Sequence, residues 1–196
     1  MVGWAWRSSD SGRLLDHDRI EKNMAQKYQV GLIVFAVSLL LDVVTKYLVN
    51  ENLTYADRIP VIEGFFYLTH VRNTGAAFGL FRDAPVVLRL TFFIGVSIIA
   101  IGIIIQFFRQ LAPGDRLSAL ALGLILGGAV GNLLDRIRLG EVVDFLHFIL
   151  WGGYQWPDFN LADSWIVVGV ALLVLELLAS EGEARAAEDS SETGNS

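Results

Sequence analysis

The chain has no cysteine among its 196 residues. Disulfides, thiol nucleophiles and cysteine-based metal sites are excluded together, and the redox compartment cannot be read. Histidine is also scarce, with 3 residues. His70 and His147 stand apart, and no HExxH surrounds them, so zinc-type hydrolysis has no support. There is no GxSxG turn for a serine nucleophile. Ser38 and Lys46 lie about two helical turns apart, too far for a Ser-Lys dyad. No basic excess suggests nucleic acid: the formal charge is −6, and Glu181, Glu183, Glu188, Asp189 and Glu192 against Arg185 supply −4 of it. No internal repeat is clear. The first 29 residues are polar and charged, where a cleavable signal peptide would need its apolar core.

Apolar residues are abundant. They make up 54% of the chain, and mean hydropathy is +0.50, which points to a membrane protein. Four runs stand out, at about 30–49, 86–108, 117–134 and 161–179. Each is close to the ~20 residues that a helix needs to cross a bilayer core. The expected fold is an all-α membrane protein of four transmembrane helices. Residues 1–29 form an N-terminal extension, 30–179 the membrane domain, and 180–196 an acidic tail expected to be disordered. Loop two carries Arg109 and Arg116, and the N-terminal segment carries Arg7, Arg13, Arg19, Lys22 and Lys27. This bias places both termini in the cytoplasm. The stretches IPVIEGFFYLTHV and EVVDFLHF read as extended segments, with Gly64 as a turn, giving a small sheet on the outer surface. RNTGAAFGLF is apolar enough to touch lipid.

Against that background two aspartates are conspicuous. Asp144 lies in GEVVDF, and Asp163 opens the last span in FNLAD. Carboxylates at a membrane boundary are costly to desolvate and mark functional sites. A close pair can share one proton, which suits general acid and base work. Asn160 and Asp163 also have the spacing of a helix cap, and simple capping is an equal alternative for them. It does not explain Asp144. Gly128, Asn132 and Arg136 share one face of the third span, beside the GxxxG steps of Gly123, Gly127 and Gly131. Asp42 and Lys46 are four apart in the first span, spaced for a structural ion pair. Asp135 is expected to pair with Arg136 or Arg138. A four-span transporter using Asp42, Asp144 and Asp163 is the chief alternative, although both latter residues flank spans rather than occupy a midplane. A presenilin-type protease would need YD and GxGD signatures, which are missing.

DVVTK at 42–46, NTGAAFG at 73–79, GGAVGNLLDR at 127–136, GEVVDF at 140–145 and FNLAD at 159–163 occur in that order. In these segments the chain resembles the lipoprotein signal peptidases, or signal peptidase II family. The resemblance implies an aspartyl endopeptidase of the bacterial inner membrane. Such an enzyme removes the signal peptide from a diacylglyceryl-modified prolipoprotein, cutting before the lipidated cysteine. It implies Asp144 and Asp163 as the catalytic pair. Asn73, Gly128, Asn132, Arg136, Asn160 and Ala162 match positions that support substrate or dyad. Asp42 and Lys46 match a pair tied to structural integrity. No metal or cofactor is implied; the partners are the prolipoprotein, membrane lipid and a globomycin-type inhibitor. The stretch before Met24 exceeds what the family core needs, so Met24 is an alternative expected start.

Overall fold

The computed structural model describes residues 8–75 and 84–193. Most of the apolar half of RNTGAAFGLF, from residue 76 onward, falls outside them. The elements run α1 (Ser8–Asn52), β1 (Arg58–Ile62), β2 (Phe66–Asn73), α2 (Val86–Gln110), α3 (Arg116–Leu139), β3 (Val142–Phe148) and α4 (Leu161–Thr193). Each of the four helices is long and apolar enough to cross a membrane. Their outward residues, among them Leu32, Leu40, Ile99, Val167 and Leu175, are large, apolar and exposed. A helix surface of this kind is stable against lipid chains and not against water.

Local signals set the helix boundaries. Pro85 precedes α2, where its missing N–H costs nothing. Asp115 caps α3 by accepting from the Ser118 N–H at 3.1 Å. Gly140 ends α3 with φ of 76°, in the left-handed region that glycine tolerates, and its N–H donates to Arg136 O. Asn160 and Asp163 cap α4 reciprocally: Asp163 N–H donates to Asn160 Oδ1 at 3.0 Å, and Asn160 N–H donates to Asp163 Oδ2 at 3.2 Å. At its far end α4 runs on to Thr193. Alanine, glutamate and arginine are good helix formers, and extending an existing helix carries no nucleation cost. At the other end α1 begins at Ser8, well before the apolar run.

The three strands form one antiparallel sheet in the order β1-β2-β3. The turn between β1 and β2 uses Gly64 at φ 76°. In the second pairing Val71 faces Asp144 and Asn73 faces Val142. The edge strand β3 is thus the one that carries Asp144. Val143 and Phe145 point inward onto Val49 of α1, with Leu68, Leu146 and Leu161 around them.

Helix α3 packs against α1, α2 and α4. Small residues make this close approach possible. A side chain at Gly123 would press on Gly31 O of α1, at 2.8 Å from its Cβ. One at Gly127 would strike Ser38, and one at Gly131 the Asp42 carboxylate. On the adjacent face, a side chain at Gly128 would strike the Ala162 carbonyl of α4. Gly128→Ala is therefore expected to destabilise the fold by about 1–3 kcal/mol, since backbone cannot move aside cheaply. Gly102→Ala meets nothing within 4 Å and should be neutral or stabilising by up to about 1 kcal/mol. Thermal unfolding in detergent compares them, and equal melting temperatures would contradict the packing.

Candidate active site

The close contact of Gly128 with Ala162 brings the start of α4 against the middle of α3. Two asparagines then meet across that contact. Asn160 Nδ2 donates to Asn132 Oδ1 at 3.2 Å and to Asp144 Oδ1 at 2.7 Å. Asn132 Nδ2 donates to Asp163 Oδ1 at 2.8 Å. The two carboxylates are thus linked through a pair of amides, one from each helix. Asn73, at the end of β2, donates from Nδ2 to the other oxygen of Asp144 at 2.8 Å, while its own Oδ1 accepts from the Gly75 N–H at 2.8 Å. Asp144 and Asn160 are buried, and Asp163 is half-buried.

The amide orientations are determined by their neighbours. Asn132 Oδ1 accepts from Lys46 Nζ at 2.9 Å as well as from Asn160. With its oxygen engaged by two donors, only its NH2 group can face Asp163. Lys46 also contacts Asp42 Oδ2 at 2.8 Å and Asp135 Oδ2 at 3.1 Å. The expected Asp42–Lys46 contact is present. Asp135 turns instead to this buried contact with Lys46; Arg136, adjacent along the helix, does not share a face with it. Arg136 stays at the rim: its Nη1 donates to Asn132 O at 3.2 Å and its guanidinium lies 5.5 Å from the Phe93 ring centre.

Burial pushes the Asp144 carboxyl up to about 7 from an ordinary 3.8. The Asn73 hydrogen bond opposes this, the neighbouring Asp163 charge adds to it, and Asn160 and Lys46 oppose it again. Near neutral pH, Asp144 can hold or release a proton with little driving force, which is what general acid and base chemistry requires. A cavity of about 300 Å³ opens beside it, lined by Val71, Arg72, Asn73, Thr74, Pro157 and Asp158. Asp158 is held there by Thr69 Oγ1, which donates to it at 2.6 Å, and His147 Nδ1 lies 3.3 Å from the same carboxylate oxygen.

Residues 34–179 match the family model for signal peptidase (SPase) II. The chain belongs to the lipoprotein signal peptidase family. That family consists of aspartic-type peptidases that process diacylglyceryl-modified prolipoproteins. A lipoprotein signal peptidase of Geobacter sulfurreducens is 48% identical over 158 residues, covering 81% of this chain and 97% of the relative. One from Bacillus pumilus is 42% identical over 146 residues, covering 74% of this chain and 90% of the relative. The fold is similar to a bacterial membrane enzyme solved by the in meso method, with a TM-score of 0.69, 33% identity, and coverage of 78% of this chain and 90% of that one. A second such structure gives a TM-score of 0.68 at 34% identity, covering 76% of this chain and 92% of that one. The multi-pass architecture of this family member is that of a bacterial inner-membrane enzyme.

Every site residue expected from the sequence lies in or beside this cluster except that Arg136 sits at its edge. Asp135 is the member that sequence reasoning placed elsewhere. Its only sequence signal was a position four residues before the end of a helix, next to arginines that offered an easier partner.

The raised Asp144 carboxyl has a consequence for stability. The folded protein holds that proton more tightly than the unfolded chain does. Stability is therefore lost as pH climbs from about 4 towards 7, and the loss levels off above the folded value. Asp144→Asn removes the titration. Its melting temperature in detergent should rise relative to the parent between pH 4 and 8, by the equivalent of a few kcal/mol at most. A constant difference across that range would show that burial does not raise the Asp144 carboxyl.

Proposed function

We propose that Asp144 and Asp163 are the catalytic pair of this peptidase. The observation that carries the reading is the bridge of Asn160 and Asn132 between the two carboxylates, each of which is hydrogen-bonded on both oxygens or at a helix cap. One proton is shared, because two neighbouring carboxylates do not ionise together readily. The ionised member takes a proton from a water held between them. That water attacks the scissile carbonyl before the lipidated cysteine. The protonated member donates a hydrogen bond to the carbonyl oxygen and then helps to protonate the leaving nitrogen.

The remaining residues act around this step. Asn73 and Asn160 orient Asp144, and Asn132 orients Asp163. Gly128 and Ala162 allow the helix contact that sets the distance between them. Arg136, at the rim, is placed to meet the substrate backbone. The Lys and Arg bias puts both termini in the cytoplasm and the pair towards the outer face. There the acyl chains of the substrate stay in lipid while its peptide bond enters the site. A globomycin-type cyclic peptide occupies the same place in this reading. The acidic charge balance leaves nucleic acid out of the proposed partners.

Purified protein should cleave a diacylglyceryl-modified prolipoprotein and spare the same precursor without lipid. Asp144→Asn and Asp163→Asn should each lower cleavage by on the order of 10³-fold or more while remaining folded. Full processing by either variant would sink the dyad assignment.

A further inference from the structure

Lys46 Nζ is the hub of a buried cluster that the mechanism above does not use. It lies 2.8 Å from Asp42 Oδ2 and 3.1 Å from Asp135 Oδ2. Asp42 is fully buried, Lys46 is 2% exposed and Asp135 is 8% exposed. Each carboxylate has a second duty. Asp42 Oδ1 accepts from the Ala162 N–H at 2.9 Å. Asp135 Oδ2 accepts from the Val143 N–H at 3.2 Å. Ala162 directly precedes Asp163, and Val143 directly precedes Asp144. A third arm runs from Lys46 through Asn132 to the Asp163 carboxylate.

A role in stability alone would not need this convergence. A buried ion pair gains little over well-packed apolar residues, because desolvation offsets most of the attraction. Here the desolvated groups end on the backbone one residue before each member of the pair. Such a supporting shell fixes the orientation of the groups that react. The two arms also come from different elements. Asp42 ties α1 to the start of α4, and Asp135 ties α3 to β3.

Resting on the assignment of Asp144 and Asp163 as the catalytic pair, we propose that Asp135 is a positioning residue for Asp144. Asp42 does the same for Asp163, and Lys46 joins the two arms so that one lysine sets the spacing of both carboxylates. Displacing Asp135 moves the Val143 peptide and the Asp144 that follows it. It leaves the capped start of α4, and so Asp163, where it is.

Two variants separate position from charge. Asp135→Glu keeps the charge and the Lys46 pair but shifts the carboxylate by one bond length, roughly 1.5 Å. Asp135→Asn keeps the length and an acceptor oxygen but loses the charge. Both are assayed on a diacylglyceryl-modified prolipoprotein, with kcat expressed per folded molecule. In Asp135→Glu, kcat should fall roughly 10²-fold while KM changes by less than about threefold. Asp135→Asn should lose less, about three- to tenfold. Parent-level kcat in Asp135→Glu overturns the proposal, and a large loss confined to Asp135→Asn would make Asp135 a charge partner only. Should Asp135→Glu give no folded protein, Asp135→Ser withdraws the acceptor from Val143 and is read against the same limits. An Asp144→Asn arm runs alongside. Processing by that variant would defeat the dyad reading, whereas the Asp135 results bear on positioning.

Discussion

A lysine ammonium buried inside a membrane bundle is the constraint on which the site depends. Lys46 is desolvated, and an isolated charge there would cost several kcal/mol. It is compensated by carboxylates from two helices and an amide oxygen from one of them. Those partners meet inside the closed bundle. There α1 is locked to α3, and Asp42 reaches on to the start of α4. The same requirement fixes the Asn132 amide with its NH2 towards Asp163. Electrostatic satisfaction and active-site geometry are one set of contacts.

Small residues make the contacts geometrically possible. In lipid no hydrophobic effect drives helices together, so close packing and polar pairing carry association. Gly127 and Gly131 admit Ser38 and Asp42 of α1, and Gly128 admits the Ala162 carbonyl of α4. The glycine stripe of α3 thus serves two neighbours on two faces. The β-sheet supplies what a helix bundle lacks here, an extended strand whose alternation buries Val143 and Phe145 while Asp144 faces the asparagines. Asn73 reaches Asp144 because β2 and β3 are paired in a register that sets Val71 opposite it.

Much of this could be read from the sequence. Long apolar runs define spans because bilayer thickness is fixed, and the capping pattern of Asn160 and Asp163 is a local signal that the structure reproduces. The β-branched and aromatic stretches around Gly64 read as strands for the same local reason. In α4 capping uses only one oxygen of Asp163, and the other receives Asn132. What was not legible is non-local. Asp135 has charged neighbours in sequence, but its partner Lys46 is on another helix.

The central claim is that the Asp144 carboxyl, buried beside Asp163, keeps its proton up to near neutral pH. Carbon-13 NMR of aspartate-labelled protein, titrated in micelles, measures it directly. The account predicts that the Asp144 carboxyl titrates at about 7 in the parent and at a lower pH in Asp163→Asn, where the neighbouring charge is gone. Titration of Asp144 in the ordinary carboxylate range, unaltered by Asp163→Asn, would contradict it.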